Sequence, residues 1–440
     1  MLEISKFDFR NPRFKLLIER QNQVSEEVIR TVSAIVEEVR VRRDEALFKY
    51  MLKYDNIDLS AEGPRVSDEE IEHACNHIDP NYADALKQAC DNIFKYHQHQ
   101  LQNPYKVAYP HDVIIERRVK PIDKVGVCVP SGVSPLSSSL YMNLIPALVA
   151  GVPDLYIISS PKKSKINETI LFTANYLGVR KIFKISGAQG VAALAYGTES
   201  IPSVDKIVGP GNIYVQTAKK LLYGTVGIDS YAGPSEIAII SDNSTPTDFI
   251  AADLLSQAEH GTGFEASVVF CLTEKKAEEI QACVTALVSQ HGLEARVKKS
   301  LATYGNIFIV DSLTQAADAV NFMAPEHVEV MTRDQEEIAK LITNAGAIFI
   351  GRYCPESVGD YFCGTNHVLP TGGTARFSSG LTVADFTRSY SIVRYTEKAL
   401  RSHSSAIQTL AHTEAMTAHM LSVSIRTDKK GVTESNAKDL

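Results

Sequence analysis

Four short stretches of this sequence contain residue types that can bind a metal ion and move a proton. They are residues 254–261, 324–328, 356–367 and 417–419. Together they supply imidazole nitrogens and carboxylates, which are suitable ligands for a borderline cation such as Zn²⁺. They also supply a histidine that can accept a proton near pH 7. The combination predicts an enzyme in which a metal site and an acid–base pair lie close together.

The first stretch ends a predicted helix. Residues 245–248 (Thr-Pro-Thr-Asp) offer a hydroxyl cap, a proline at the first helical position and an acid in the first turn. We expect the helix to run to His260 and to stop at Gly261, which can adopt a left-handed conformation. Gln257 and His260 are then on one face, with Asp253 one turn earlier. A histidine that only hydrogen-bonds the last helix carbonyls is the structural alternative.

Glu326 and His327 form the second feature. Pro325 disfavours helix just before it, so the pair is predicted at the junction of a loop with the apolar run 328–331. Neighbouring strand residues face opposite sides, but an irregular junction can present both to one cleft. The imidazole can take an alcohol proton, and the carboxylate can activate water or orient the ring. A solvent-exposed polar pair at a strand edge is the alternative interpretation.

The remaining candidates lie towards the C-terminus. Asp360 follows the turn-rich residues 355–359, and its carboxylate suits a hard or borderline cation. His367 is interpreted as a residue that stabilises the loop, rather than as a ligand. Glu414 and His419 are predicted on one final helix, five residues apart, from which they can reach a site only at its rim.

The elements that position these residues follow from the hydrophobic pattern. The first hundred residues are predicted to be helical, with long helices at 26–54 and 82–99. After Pro121, short apolar runs alternate with helices at 141–150, 167–177 and 213–222, which is typical of βαβ units and mostly parallel sheets. The predicted strands are 125–129, 155–159, 181–185, 207–208, 236–240, 266–272, 307–310 and 347–350.

This alternation predicts an α/β protein with two sheets, one on each side of residues 232–236. From about Val383 the chain is expected to return to helix. The predicted domains are an N-terminal arm (1–25), a first α/β domain (26–127 with 235–382), a second α/β domain (128–234) and a C-terminal helical segment (383–440).

Composition narrows the class of protein. A chain of 440 residues with a net charge of −7 is predicted to have several domains and not to bind nucleic acid. It contains no apolar run long enough to span a membrane and no secretory pattern at the N-terminus. Its seven cysteines form no CxxC pair, which argues against disulfides and against a thiolate zinc site. A reduced cytoplasmic enzyme is the expectation.

Taken in order, the motifs resemble those of histidinol dehydrogenase, a zinc- and NAD-dependent family. The resemblance spans nearly the whole chain. Beyond the stretches around Glu326, Asp360 and Asn366, it is carried by residues 187–189 (Gly-Ala-Gln), 197–200 (Gly-Thr-Glu-Ser), 205–212 (Asp-Lys-Ile-Val-Gly-Pro-Gly-Asn), 232–236 (Ala-Gly-Pro-Ser-Glu) and 255–261.

The resemblance implies an intertwined homodimer of incomplete Rossmann-like domains, with metal and catalytic residues in the first α/β domain and NAD in the second. It implies one Zn²⁺ per subunit and the oxidation of L-histidinol to L-histidine through L-histidinal, with Glu326 and His327 as catalytic residues. The implied zinc ligands are Gln257, His260, Asp360 and, from the C-terminal segment of the partner subunit, His419. The implied substrate contacts are these four with Ser235, His327 and Glu414, and the implied NAD contacts are Cys128, Gln189 and Asn212.

Four positions depart from the expected patterns. Tyr214 stands where the dinucleotide fingerprint G-x-G-x-x-G has its third glycine, Cys128 stands where the family usually has tyrosine, and Ser230-Tyr231 stands where it usually has Met-Pro. Two alternatives stay open. One is an enzyme on the same scaffold that oxidises another small alcohol, such as a sulfonated diol. The other is a zinc hydrolase or a noncatalytic metal-binding protein without a nucleotide site.

Overall fold

The protein is described by a computed structural model over residues 2–20, 24–130 and 135–428, and it divides into two compact units. The larger unit contains the chain through Leu101 together with Pro121–Phe386. The smaller unit contains Gln102–Lys120 and the chain from Thr387 onward. Within the described ranges, no helix has both the length and the apolar character that a membrane span requires.

Strands and helices alternate through most of the larger unit, and the elements of both units are numbered together in chain order. The strands are β1 (Glu3–Lys6), β2 (Tyr105–Tyr109), β3 (Val113–Pro121), β4 (Lys124–Val129), β5 (Asp154–Ser159), β6 (Ile182–Phe183), β7 (Lys206–Val208), β8 (Gly227–Ile228), β9 (Glu236–Ser241), β10 (Ala266–Cys271), β11 (Gly305–Ile309), β12 (His327–Met331), β13 (Ala347–Ile350) and β14 (Thr387–Arg394). The helices are α1 (Pro12–Glu19), α2 (Glu26–Asp55), α3 (Asp68–His77), α4 (Pro80–Gln98), α5 (Ser137–Ala150), α6 (Glu168–Tyr176), α7 (Gly187–Tyr196), α8 (Ile213–Leu222), α9 (Thr247–Ala258), α10 (Glu274–His291), α11 (Glu294–Tyr304), α12 (Leu313–Met323), α13 (Gln335–Lys340), α14 (Glu356–Tyr361), α15 (Glu397–Thr413) and α16 (Thr417–Thr427).

The first sheet has six strands in the order β1-β11-β10-β9-β12-β13, and each neighbouring pair is parallel. Helices α1, α12 and α13 pack on one face, and α9, α10 and α11 on the other. Because both faces are covered, strands such as β9 and β10 are buried along their whole length. This explains why they appear in the sequence as continuous apolar runs.

The second sheet has five parallel strands in the order β6-β5-β4-β7-β8. Helices α2, α7 and α8 cover one face, while α3, α4, α5 and α6 cover the other. The chain adds β5 and β6 on one side of β4 and then β7 and β8 on the other, so the strand order reverses at β4. In open α/β sheets a crevice forms at such a reversal, beyond the carboxyl ends of the strands.

The smaller unit consists of the three-stranded sheet β14-β3-β2 and the helices α15 and α16. Strands β2 and β3 are antiparallel. All five residues of β2 are exposed. Arg394 of β14 is hydrogen-bonded to Glu116 of β3 at 3.0 Å, which ties the two strands together through their side chains.

The prediction of an α/β protein with parallel sheets is confirmed, and the starts of most strands are right to within two residues. The N-terminal hundred residues are not wholly helical, because β1 pairs with β11. The return to helix after Val383 is also wrong, since β14 comes first. The predicted strand 181–185 shortens to Ile182–Phe183. The domain boundaries stay a prediction.

Candidate active site

Helix α9 places Gln257 and His260 at the amino edge of the six-stranded sheet. The helix follows β9 and runs back against it, so its C-terminal end lies near the start of β9. Its predicted start is wrong: Pro246 is the cap residue, and Thr245 donates instead to the carbonyl of Met331 at 2.6 Å. The helix ends at Ala258, and Gly261 has the expected left-handed conformation with φ +82°.

Gln257 is fully buried, and neither its amide oxygen nor its amide nitrogen has a hydrogen-bond partner among the described residues. An orphaned buried amide of this kind costs about 1–3 kcal/mol, so it points to a partner such as an ion or a substrate. His260, three residues later, is exposed, and its Nδ1 lies 3.1 Å from the Gln257 backbone carbonyl oxygen. This contact leaves Nε2 of His260 available to a ligand.

His327 is the first residue of β12 and is buried. Its Nδ1 lies 3.1 Å from the carbonyl oxygen of Glu236, the first residue of β9. Because a carbonyl can only accept, Nδ1 carries the proton and Nε2 keeps its lone pair. Nε2 has no hydrogen-bond partner among the described residues and lies 3.8 Å from Oδ1 of Asp360. Burial lowers the pKa of His327 to about 4, and the charge of Asp360 opposes that shift.

The carboxylates around His327 form a buried acidic cluster. Donor atoms of His327, Glu356 and Asp360 all lie within 4.8 Å of one another, and Glu326 Oε2 lies 3.8 Å from His327 Nδ1. Burial, together with the charges of neighbouring acids, raises the pKa of Glu326 and of Glu356 well above the usual value. A divalent cation would relieve this repulsion, so the donor set fits a metal ion.

Glu326 is fixed by a reciprocal pair of hydrogen bonds with Glu236. The backbone N–H of Glu236 donates to Glu326 Oε2 at 3.1 Å, and the N–H of Glu326 donates to Glu236 Oε2 at 3.2 Å. A fully buried Arg20 pairs with Glu236 Oε1 at 2.7 Å. Two neighbouring parallel strands therefore hold Glu326 and His327 in one place, although adjacent strand residues ordinarily face opposite sides.

Asp360 lies in the short helix α14, not in the predicted loop. His367 Nδ1 donates to the Asp360 carbonyl at 3.0 Å, which matches the interpretation of His367 as a residue that stabilises this segment. Glu356, at the start of α14, accepts from Ser256 Oγ at 3.2 Å, and its backbone N–H donates to Glu329 at 2.7 Å. These contacts join α14 to α9 and to the middle of β12.

The three predicted NAD contacts line one cavity of about 530 Å³ at the carboxyl ends of β4–β7. Cys128 is at the end of β4 and is buried, Gln189 is in the first turn of α7, and Asn212 caps α8 by accepting from the N–H groups of Tyr214 and Val215. The cavity therefore lies where the strand order reverses. Its lining residues are Thr31, Ile35, Tyr54, Asp55, Cys128, Val129, Pro130, Ile158, Ser159, Ser160, Ile185, Ser186, Gly187, Ala188, Gln189, Pro210, Gly211, Asn212, Tyr214 and Val215.

A buried ion pair fixes the turn between β7 and α8. The ammonium of Lys219 contacts Asp229, and both side chains are almost fully buried. Lys219 donates to the carbonyl of Gly209 at 2.9 Å, while Asp229 accepts from the N–H of the same glycine at 2.7 Å. The chain here needs glycine, because a Cβ at Gly209 would lie 2.2 Å from the Cys128 carbonyl oxygen.

Glu414 and His419 belong to the smaller unit, and both are exposed. They do not share a helix: Glu414 caps the end of α15, Ala415 takes a positive φ of 56°, and His419 lies in α16. The prediction of one continuous final helix is therefore wrong, because the chain breaks between them.

Comparisons with known proteins cover almost the whole chain. The family profile described as histidinol dehydrogenase matches residues 18–427. The histidinol dehydrogenase of Clostridium acetobutylicum is 44% identical over 419 residues, which is 94% of this chain and 95% of that protein. That of Bacillus subtilis is 42% identical over 408 residues, 91% of this chain and 94% of that protein.

The chain belongs to the histidinol dehydrogenase family. It is therefore an oxidoreductase. A crystal structure of histidinol dehydrogenase from Elizabethkingia anophelis superimposes with a TM-score of 0.89 at 33% identity, covering 97% of this chain and 98% of that one. The family recognised in the sequence is thus confirmed.

Several residues of this candidate site escaped the sequence analysis. Glu236, Glu356 and Arg20 were given no role, although the first two lie inside quoted motifs. Arg20 had no signal at all, since its contact with Glu236 joins positions 216 residues apart. Glu329 is buried and Asp253 is half-buried, and burial raises the pKa of both carboxyls, that of Asp253 to about 6.

Proposed function

We propose that this histidinol dehydrogenase oxidises L-histidinol to L-histidine through L-histidinal, the last steps of histidine biosynthesis, with NAD and one Zn²⁺ per subunit. The observation that carries the proposal is the buried, unpartnered His327 Nε2 beside Asp360, with an unpartnered Gln257 amide in the same unit. A base with a free lone pair and an amide without a partner are what an alcohol substrate and a cation require.

The proposed zinc ligands are Gln257, His260, Asp360 and the His419 of a second copy of the chain. Bound zinc would act as a template that holds the amine and imidazole of the substrate. His327, Glu356 and Asp360 are a second possible ligand set within one chain. We favour the first set, because it leaves Nε2 of His327 free to act as a base and uses the orphaned Gln257 amide.

In the proposed mechanism, His327 removes the hydroxyl proton of the alcohol through Nε2. NAD held in the cavity lined by Cys128, Gln189 and Asn212 would supply the hydride acceptor for each of the two oxidations. The low pKa of His327 keeps its imidazole neutral at physiological pH, so the base is ready before substrate arrives. Glu326, held by the Glu236 backbone, assists the addition of water to the aldehyde. Ser235, Glu414 and the proposed ligands would orient the substrate.

We infer a homodimer in which the C-terminal segment of each chain completes the site of its partner. We also infer that the two parallel sheets are incomplete Rossmann-like domains. The smaller unit exposes the apolar side chains of Val393, Leu410, Leu421 and Ile425, and burying them against a partner would stabilise a dimer. The seven cysteines are free thiols, which fits the predicted cytoplasmic location.

The test is an assay of the purified protein with L-histidinol and NAD⁺, with and without a metal chelator. We expect two NADH per substrate and loss of turnover on chelation, restored by zinc. A panel of small alcohols, including a sulfonated diol, gives the comparison. Faster turnover of another alcohol than of histidinol would contradict the substrate assignment, and the absence of NAD reduction with every alcohol would contradict the cofactor assignment.

A further inference from the structure

Among the described residues, the lining of the proposed NAD cavity contains one charged side chain, and it is negative. Of the twenty lining residues, Asp55 is the only aspartate or glutamate, and none is lysine, arginine or histidine. Residues 131–134, which lie outside the described ranges, are Ser-Gly-Val-Ser and carry no charge either. Lys53 lies over the ring of Tyr54 at 4.8 Å, but it is not part of the cavity lining.

The fold holds Asp55 in a fixed place. It is the last residue of α2, the helix that packs on α7 over one face of the five-stranded sheet, and the chain turns away at once because Asn56 is left-handed with φ 56°. Ser186 Oγ donates to Asp55 Oδ2 at 2.9 Å. This is the only hydrogen bond to the Asp55 carboxylate among the described residues, so Oδ1 remains available to a ligand.

The chemistry of a carboxylate limits what this oxygen can contact. An ionised carboxylate only accepts hydrogen bonds, and it repels phosphates. In a dinucleotide, the neutral groups that can donate to it are mainly the ribose hydroxyls. An acid that binds a ribose 2′-hydroxyl is a recurrent feature of NAD sites, where an arginine takes its place when the 2′-phosphate of NADP must be bound. Burial raises the pKa of Asp55, and the Ser186 hydrogen bond opposes this, favouring the ionised form.

We propose that Asp55 is the residue that selects NAD over NADP, by accepting hydrogen bonds from the adenosine ribose hydroxyls and repelling a 2′-phosphate. The inference rests on the proposed function, since it assumes that the cavity binds a dinucleotide. It assigns a role to the C-terminal end of α2, a helix for which the sequence analysis predicted no functional residue.

The test measures equilibrium binding of NAD⁺, NADP⁺ and ADP-ribose to the intact zinc-loaded protein, by calorimetry. We expect wild type to bind NAD⁺ at least about a hundredfold more tightly than NADP⁺, because placing like charges together costs several kcal/mol. Asp55→Asn keeps the shape and can still accept from Ser186. It should lower that ratio at least about tenfold and weaken NAD⁺ and ADP-ribose by similar factors.

Asp58→Asn is the matched control, because Asp58 is an exposed acid three residues later that accepts hydrogen bonds from Ser60 and does not line the cavity. It should leave all three affinities unchanged. An unchanged NAD⁺ to NADP⁺ ratio in Asp55→Asn would overturn the inference. So would a loss of NAD⁺ affinity without a loss for ADP-ribose, since ADP-ribose lacks only the nicotinamide and the carboxylate would then contact that group and not a ribose. Failure of wild type to bind any of the three ligands would instead refute the cofactor assignment itself.

Discussion

At the scale of single residues, the site depends on which atoms of His327 are engaged. The Nδ1–H of His327 donates to the Glu236 carbonyl, and this fixes the ring and its tautomer. Nε2 is left as a buried acceptor beside Asp360. Because burial holds the pKa at about 4, the ring is neutral throughout the range in which most enzymes work.

His327→Gln should therefore lower kcat by about 10²–10⁴, the usual contribution of a positioned general base. Zinc content should stay at the wild-type level, because His327 is outside the proposed ligand set. His73→Gln, which changes an exposed histidine on α3, is the control and should keep full activity. Near wild-type turnover by His327→Gln with zinc bound would show that another group is the base.

At the scale of elements, the candidate residues lie at the amino ends of the strands in one sheet and at the carboxyl ends in the other. Glu236 and His327 begin β9 and β12, so the acidic cluster lies at the amino ends of these strands, and α9 reaches it because a helix after a parallel strand runs back. The proposed dinucleotide cavity instead lies at the carboxyl ends of β4–β7. The turn from Gly209 to Gly211 lines this cavity. The Lys219–Asp229 ion pair holds the turn in place, and the turn also packs closely against β4.

Gly209→Ala should weaken NAD⁺ binding at least about tenfold, because a displaced turn no longer lines the cavity in the same way. Gly224→Ala is a matched control. Both glycines have similar positive φ, +101° and +103°, but a Cβ at Gly224 meets nothing within 4 Å. Both variants carry the backbone strain, and only Gly209→Ala adds the clash with Cys128. Calorimetric titration with NAD⁺ measures the difference, and equal losses in the two variants would contradict it.

At the scale of the whole molecule, the buried acids should make stability depend on pH and on a bound cation. Glu326, Glu329 and Glu356 have pKa values raised well above 4.5 by burial first and by neighbouring acids. An acid whose pKa is raised on folding stabilises the fold below its unfolded pKa, and this contribution is lost as the pH rises through the folded pKa. A bound cation counteracts the loss by stabilising the ionised forms.

Metal-free protein should therefore become less stable as the pH rises from 5 to 8, and zinc-loaded protein should lose less. Glu329→Gln should reduce the slope in the metal-free protein, whereas Glu72→Gln, at an exposed position on α3, should leave it unchanged. Urea unfolding at several pH values, with and without chelator, measures the slopes. An unchanged slope in metal-free Glu329→Gln would rule out a raised pKa for Glu329. The opposing contribution of His327, whose lowered pKa makes stability rise with pH up to about 6.5, is the same in both proteins.

The proposed sharing of the site between two copies of the chain predicts complementation between two inactive variants. His327→Gln disables the site of its own chain, and His419→Asn disables the site of its partner. A mixed dimer then has one site carrying both changes and one site carrying neither. Equal mixing, after dissociation and reassembly, should restore about a quarter of wild-type activity, because about half of the dimers are mixed. No recovery, with mixed dimers verified by mass, would indicate that His419 serves its own chain.

The sequence by itself determined the class of fold and the family. Parallel strands that helices cover on both faces are apolar along their whole length. Short apolar runs that alternate with helices therefore identify such strands from the local sequence. The motifs, in their order along the chain, were sufficient to recognise the family. Helix α8 was predicted with its observed bounds, since Asn212 caps it and its pattern is local.

The tertiary structure alone decided which residues meet at the site and in what state. Strand β1 pairs with a strand some three hundred residues away, and Arg20 reaches Glu236, so no local pattern could reveal them. The shifted pKa values of His327 and Glu356 come from burial, which is a property of the packed chain. Side-chain chemistry is encoded residue by residue, but proximity and desolvation arise only when distant segments pack together.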